Sequence, residues 1–184
     1  MKELSLNILD VAENSVKAGA TLTEILIEEK GDTLTLIIRD DGCGMDGETV
    51  KAVVDPFYTT RTTRKVGLGV PLLKLACEQT GGSLSVESKT QEESPESHGT
   101  TVEAVFYKNH IDFTPLGDVV STVTTLIQGH PDTDFLFRHT TENGEAGVDT
   151  RELRAVLGDV PLNSYEVIKW TEEYLREQYE GFNL

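Results

Sequence analysis

The chain has 184 residues, a formal net charge of −16 and 38% hydrophobic residues, which suits one domain with an appendage. The negative charge argues against nucleic acids and anionic membranes as partners. No stretch approaches the roughly 18 apolar residues of a membrane span, the first residues do not resemble a signal peptide, and two cysteines give neither a disulfide framework nor a metal cluster. We therefore expect a cytoplasmic protein.

The first predicted element is a helix over residues 2–18 that ends at Gly19. Asp10, Asn14 and Lys17 lie on one stripe of this helix. An amide oxygen suits Mg²⁺, an ammonium suits a phosphate, and a carboxylate could orient water, so the stripe could bind a metal–phosphate group. The same pattern is typical of a solvated helix face with an ion pair, and the residues alone leave both interpretations open.

Two strands are predicted next, over residues 21–29 and 33–40, joined as a hairpin. Side chains alternate along a strand, so one face of the second strand carries Leu34, Leu36, Ile38 and Asp40. The apolar members require a core, which aims Asp40 inward at the end of the strand, where a buried carboxylate needs a partner. A capping or turn aspartate is the other interpretation.

A glycine turn follows this strand, and residues 42–47 match the G-x-G-x-x-G pattern of dinucleotide-binding proteins. We reject that function because Asp40 and Asp41 directly precede the turn, where two carboxylates would repel a pyrophosphate. The acidic residue expected about 20 positions later is also missing, since Thr62 and Thr63 lie there. A carboxylate beside a glycine turn instead favours a ligand group that donates hydrogen bonds, such as an exocyclic amine.

A basic loop over residues 55–69 separates two predicted helices, over 47–54 and 68–79. Its cations are Arg61, Arg64 and Lys65. Free backbone N–H groups and the helix dipole converge at the start of the second helix, which favours an anion site there; a solvated surface loop is the alternative. We expect residues 55–66 to be poorly ordered without nucleotide, because they have few apolar anchors and their cations repel one another.

The remaining predicted elements are strands over 83–88, 99–107 and 134–140 and a helix over 115–128. Asp149 with Glu152, and Asn163 with Glu166, resemble capping boxes that open two further helices. Residues 110–184 carry 5 basic and 14 acidic side chains, a net charge of −9. This part could either cover a free surface of the first domain or dock a partner protein.

Taken together, these stretches resemble the Bergerat-fold ATP-binding superfamily of gyrase-type topoisomerases, ninety-kilodalton heat-shock chaperones, histidine kinases and MutL proteins. Four boxes carry the resemblance in order: residues 10–21, 40–45, 67–70 and 99–101. The resemblance implies an ATP-binding domain over 1–109 and an acidic α+β appendage over 110–184. The expected fold is α/β, a two-layer sandwich of a mixed, mainly antiparallel sheet covered by helices. The whole chain also resembles small stand-alone ATP-binding proteins of anaerobic bacteria.

The resemblance implies ATP and Mg²⁺ as ligands and assigns roles to individual residues. Asp40 should accept from the adenine amine, with Thr100 beside it, while Asn14 coordinates Mg²⁺ and Lys17 meets the phosphates. The other expected ATP-binding residues are Gly42 and Gly44 of the turn, the cations Arg61, Arg64 and Lys65, and the backbone groups of Gly67, Leu68 and Gly69. Residues 56–61 are similar to the start of the lid in sensor histidine kinases.

Two departures from the family pattern matter for the expected function. Gyrase and MutL-type ATPases activate water with a glutamate where this chain has Asp10, one methylene shorter. A sensor kinase has a phosphoacceptor histidine followed by an acid, whereas the four histidines here are followed by Gly99, Ile111, Pro131 and Thr140. We therefore expect an ATPase or a protein kinase that acts on a separate partner, with Asp10 as the catalytic carboxylate. The alternative is a non-hydrolysing, ATP-dependent switch that regulates a partner by lid closure.

Overall fold

A computed structural model describes residues 3–55 and 68–182 of the chain. The helices within these ranges are α1 (Leu4–Lys17), α2 (Gly47–Val54), α3 (Gly69–Glu78), α4 (Val119–Gly129), α5 (Thr150–Leu157) and α6 (Tyr165–Glu180). The strands are β1 (Leu22–Lys30), β2 (Thr33–Asp40), β3 (Ser83–Lys89), β4 (Gly99–Tyr107), β5 (Asp134–Thr141) and β6 (Gly144–Asp149). None of these helices is long and apolar enough to cross a membrane.

The six strands form one sheet in the order β3-β4-β2-β1-β5-β6. All neighbouring strands are antiparallel except β1 and β5, which are parallel. The sheet is therefore mixed and mainly antiparallel, and helices cover it, which confirms the expected α/β two-layer architecture. The strands β5 and β6, from the C-terminal part, extend the sheet of the first part directly.

The core lies between the sheet and the helices, because each central strand is apolar on one face. In β2, Leu34, Leu36 and Ile38 are buried, and Asp40 follows them on the same face at the end of the strand. Helix α1 contacts α3 and α4 as well as β1 and β2. Its buried apolar residues are Leu4, Ile8, Val11 and Ala12. This packing brings the second half of α1 to the edge of the core where β2 ends.

Two sequence predictions about helix starts in the C-terminal part are wrong. The helix expected over 115–128 begins only at Val119, because Pro115 and Leu116 instead accept hydrogen bonds from the free N–H groups of Leu4 and Ser5, at 2.9 and 2.8 Å. The last helix begins after Ser164 rather than Asn163, and no side chain caps it. The Asp149 cap is confirmed, since its carboxylate accepts from Arg151 N at 2.9 Å.

A polar cluster around the buried His139 joins the two parts of the chain. His139 on β5 lies with Nε2 2.8 Å from Glu29 Oε1 on β1 and with Nδ1 2.8 Å from the hydroxyl oxygen of Tyr179 on α6. Lys108 Nζ donates to the other oxygen of Glu29 at 3.0 Å. The hydrogen bond from His139, together with Lys108, outweighs burial and lowers the pKa of Glu29 to about 2. The cluster therefore fastens α6 and β5 to the first part of the chain.

Candidate functional site

The site begins with the exposed stripe of α1 predicted from the sequence. Asp10 and Lys17 are exposed and Asn14 is half-buried, on the side of the helix opposite its apolar face. The start of α3 lies against this stripe: a methyl group added to Gly69 would stand 3.0 Å from Asp10 Cβ. The free N–H groups of the first turn of α3 therefore lie beside Asp10 on α1.

Asp40 has the partners that its inward position requires. Ser15 Oγ of α1 donates to Asp40 Oδ2 at 2.7 Å, and the backbone N–H of Gly42 donates to Oδ1 at 2.9 Å. These bonds hold the carboxylate in one orientation and leave some of its acceptor capacity free. Sequence reasoning assigned no role to Ser15, although this residue lies within the first box, directly after Asn14, and is buried.

Thr100 stands next to Asp40, since the two residues are paired between β4 and β2. Its hydroxyl lies 2.8 Å from Ser88 Oγ. The Ser88 hydroxyl also donates to Gly99 O at 3.0 Å and accepts from Met45 N at 2.8 Å. Ser88 therefore connects three parts of the site: the end of β3, the start of β4 and the glycine turn. It lies outside the four boxes, so the sequence offered no signal for it.

The glycine turn between β2 and α2 is packed against its surroundings on both sides. A Cβ on Gly42 would lie 2.8 Å from Ala18 Cβ, and Cys43 N donates to Ala18 O at 2.9 Å. Gly44 has a φ of +74°, and a Cβ there would lie 1.9 Å from Lys89 O. His98 Nδ1–H donates to Gly42 O at 2.5 Å. These contacts restrict the turn to one backbone conformation. The turn forms the surface of the site next to Asp40.

The neighbouring carboxylate, Asp41, has a structural task. It accepts hydrogen bonds from the backbone N–H groups of Thr21 and Leu22, at 2.7 and 3.0 Å, and from the hydroxyl of Thr21. Burial acts to raise the pKa of Asp41, but the hydrogen bonds from Leu22 and Thr21 lower it below its ordinary value. Asp41 is therefore occupied at the start of β1, and Asp40 is the acid of this pair that faces the site.

The structure brings together most, though not all, of the residues that the sequence predicted for the site. Those it gathers around the turn and the facing helices are Asp10, Asn14, Lys17, Asp40, Gly42, Gly44, Gly69 and Thr100. Leu68 is the exposed residue that precedes α3. Four predicted site residues lie outside the described residues: Arg61, Arg64, Lys65 and Gly67. The prediction that residues 55–66 are poorly ordered without nucleotide also falls outside them, except at Asp55.

The donors and acceptors at this site fit a purine nucleotide carried with a divalent cation. Asp40 offers an acceptor beside a turn without side chains, and the start of α3 offers N–H groups for phosphate oxygens. Among the described residues, no group of three or more His, Cys, Asp or Glu could hold a metal by itself. Mg²⁺ typically uses few protein ligands and completes its shell with phosphate and water, so Asn14 alone suits it.

Comparisons with known proteins identify the family of the first part of the chain. The family model for histidine kinase-, DNA gyrase B- and HSP90-like ATPases matches residues 2–110. The sensor protein SrrB of Staphylococcus aureus is 31% identical over 94 residues, which cover 48% of this chain and 16% of that protein. A sensor protein of Shewanella frigidimarina is 28% identical over 91 residues, which cover 47% of this chain and 14% of that protein. The chain thus matches only a small part of the length of these relatives.

Two solved structures share the fold over most of the chain. The MutL ATPase domain of Aquifex aeolicus, complexed with ADP, superposes with a TM-score of 0.55 at 16% identity and covers 97% of this chain and 70% of its own. The N-terminal domain of a DNA repair protein gives a TM-score of 0.57 at 18% identity and covers 81% and 52%. Since the family model spans more than half of the chain, the protein belongs to the histidine kinase-, DNA gyrase B- and HSP90-like ATPases, the Bergerat-fold superfamily.

Proposed function

We propose that the protein binds Mg²⁺-ATP between α1, the glycine turn and α3, and acts as an ATPase or protein kinase toward a separate partner protein. The observation that carries this proposal is the fixed carboxylate of Asp40. It is oriented by Ser15 and Gly42 at 2.7 and 2.9 Å and stands beside Thr100 at the end of a buried strand. An acceptor held in this way beside a backbone turn suits the amine edge of adenine.

Each polar residue of the α1 stripe has a proposed task in the same site. Asn14 offers its amide oxygen to Mg²⁺, Lys17 neutralises phosphate charge, and Asp10 orients a water toward the terminal phosphate. Mg²⁺, when bound, supplies charge neutralisation at the phosphates. The cations Arg61, Arg64 and Lys65, proposed from the sequence alone, add positive charge to the same region.

Replacing the proposed adenine acceptor tests nucleotide binding directly. Asp40→Asn removes the charged acceptor, so a labelled ATP analogue with Mg²⁺ should bind about 5- to 150-fold more weakly, corresponding to about 1–3 kcal/mol. The matched control is Asp46→Asn, which makes the same charge change at the N-cap of α2, where Asn is an equally good cap. Equal binding by wild type and Asp40→Asn, or no binding by either, would contradict the proposal.

Asp10 separates an enzyme from a switch. If the protein turns ATP over, Asp10→Asn should abolish turnover and leave binding of the ATP analogue unchanged, because the proposed carboxylate acts on water and not on the nucleotide. Single-turnover assays with γ-labelled ATP and co-purifying proteins measure both release and transfer of the label. Unchanged slow turnover in Asp10→Asn would favour an ATP-dependent switch in which turnover is incidental, or a phosphotransfer whose base lies on the acceptor protein. The short, exposed Asp10 side chain is the observation that favours the switch.

A further inference from the structure

The C-terminal part presents large apolar side chains to solvent close together in the chain. Val156 is 86% exposed, Trp170 47% and Tyr174 38%, and Val160 and Tyr165 between them are also exposed. Other apolar residues of α6, such as Val167 and Leu175, are buried. The exposed apolar side chains of residues 156–174 are therefore separate from the apolar face of α6 that packs on the core. Contiguous apolar surface on a folded protein marks interaction sites.

Three of these side chains, Val156, Trp170 and Tyr174, line a groove of about 410 Å³ between α5, α6 and β6. The apolar walls of this groove are Leu136, Leu153, Val156, Trp170 and Tyr174. The Trp170 and Tyr174 rings are stacked, with centroids 4.8 Å apart and planes within 10° of each other. Because stacking already orders these two rings, the Trp170 and Tyr174 side chains would lose little conformational entropy when a ligand binds against them.

The groove also runs along the outer edge of β6, part of which α6 already contacts. β6 is the last strand in the sheet order, so within the described ranges it pairs only with β5. The backbone N–H of Gly147 points away from β5 and donates to Gln178 Oε1 of α6 at 2.8 Å. A side-chain amide thus occupies a position that a backbone carbonyl of an added strand could take. Exposed strand edges of this kind accept extended peptides as an additional strand.

The surface beside the groove is acidic. Three glutamates share one face of α6 with Trp170, because they are spaced three or four residues apart along the helix. They are Glu166, Glu173 and Glu177. All three are exposed, and none has an ion-pair partner in the part of the chain that the structure describes. The arginines of the groove region are already paired: Arg138 with Glu145 at 3.5 Å and Arg151 with Asp149 at 2.8 Å. Lys169 is an exposed cation beside these three glutamates, and it has no ion pair within the described ranges. The free charge along the groove is therefore net negative, which favours a basic partner and opposes a second copy of this chain, whose net charge is −16.

We propose that this groove docks an extended, basic segment of a partner protein that carries an aromatic or aliphatic anchor between lysines or arginines. The backbone of the segment pairs with β6 and its anchor packs on the Trp170–Tyr174 wall. Its cations meet the glutamates of α6 named above and Glu152, which lines the groove. The inference rests on the proposed function for the role of the partner. The sequence left open whether residues 110–184 dock a partner protein, and this proposal places such docking at the groove.

Selection of a random peptide library on phage against the immobilised full chain tests the proposed chemistry. We expect enriched peptides to combine basic residues with an aromatic or aliphatic anchor. A fluorescein-labelled synthetic peptide of the enriched sequence should bind in the micromolar range, and more weakly at high salt, because screening weakens exposed charge pairs. Val156→Lys should reduce its affinity at least about tenfold, a loss of about 1.4 kcal/mol. The matched control is Ile111→Lys, which makes the same change at another exposed apolar position and should bind like wild type.

Three results would overturn the proposed docking site. The first is that the selection enriches acidic or composition-neutral peptides, or no peptides at all. The second is equal peptide binding by Val156→Lys and wild type, and the third is a concentration-dependent dimer in sedimentation velocity that Val156→Lys abolishes. The last would show that a second copy covers the groove. The ATP-analogue titration, repeated on Val156→Lys, should match wild type. Peptide binding without any ATP binding would contradict the proposed nucleotide function and leave the docking site standing.

Discussion

Two adjacent carboxylates with the same chemistry have different tasks at the centre of this protein. Asp41 is bound by backbone N–H groups of β1, whereas Asp40 is held by Ser15 and Gly42 with acceptor capacity left over. The difference follows from strand alternation: Asp40 is the last residue of β2, and Asp41 directly after it still pairs with Leu22 of β1, so the two side chains point to opposite faces. At the residue scale, therefore, the position of an acid on the pleat decides whether it supports the fold or serves the site.

Gly44 is the residue of the turn at which substitution should be least tolerated. Its φ of +74° disfavours any side chain, and a Cβ would lie 1.9 Å from Lys89 O. We expect Gly44→Ala to lower the free energy of unfolding by about 2–4 kcal/mol. Gly47→Ala, at the first residue of α2 with nothing within 4 Å of the added methyl, is the matched control and should be neutral or stabilising. Urea unfolding of both variants measures the difference; equal stabilities would contradict the expected strain at Gly44.

At the scale of elements, the C-terminal strands and helices are fastened to the first part by polar contacts as well as by the core. The buried His139 lies between Glu29 of β1 and Tyr179 of α6, and His130 after α4 lies 2.8 Å from Glu13 of α1. Both contacts join residues of the first part to elements that follow residue 110. The groove proposed as a docking site is therefore attached to the same sheet that carries Asp40.

The Glu29 contact predicts a specific dependence of stability on pH. Because its pKa falls from 4.5 to about 2 on folding, Glu29 contributes stability that is present above pH 4.5 and is lost as the pH falls toward 2. Glu29→Gln should reduce the free energy of unfolding by about 1–3 kcal/mol near neutral pH. This difference in stability from wild type should become smaller as the pH falls to about 3.

Urea unfolding of wild type and Glu29→Gln across this pH range measures this gap in stability. The control is Glu28→Gln, an exposed neighbour on the same strand with no ion pair among the described residues. Its gap to wild type should be small at every pH. A Glu29→Gln gap that stayed constant as the pH fell would contradict the assignment.

At the scale of the whole molecule, one sheet runs through both parts of the chain. β1 pairs with β2 from the first part on one side and with β5 from the second part on the other. We expect a single cooperative unfolding transition, because loss of β5 would expose the edge of β1 and the apolar residues beneath it. Trp170, the only tryptophan, reports on α6, while far-UV circular dichroism reports on all elements. The two urea transitions should coincide; earlier loss of the Trp170 signal would show that the parts unfold separately.

Much of the site could be predicted from the sequence because its signals are local. The alternation of β2 places Asp40 on the core face, the spacing on α1 places Asp10, Asn14 and Lys17 on one stripe, and the glycines mark the turn. Each signal lies within a window of about ten residues, where strand and helix periodicity alone decide which side chains share a face. The family resemblance added the order of the boxes and hence the ligand class.

The supporting contacts could not be predicted in this way. Ser15 meets Asp40 across 25 positions, His98 meets Gly42 across 56, and His139 meets Glu29 across 110. Pro115 and Leu116 leave a helical pattern because the first turn of α1 needs acceptors for its N–H groups. The sequence by itself determined most of the elements, though not β6, together with the acid and the turn, since these depend on neighbours along the chain. Tertiary structure alone decided the parallel pairing of β1 with β5, the partners of each polar group and the open groove beside β6, because these depend on groups that only folding brings together.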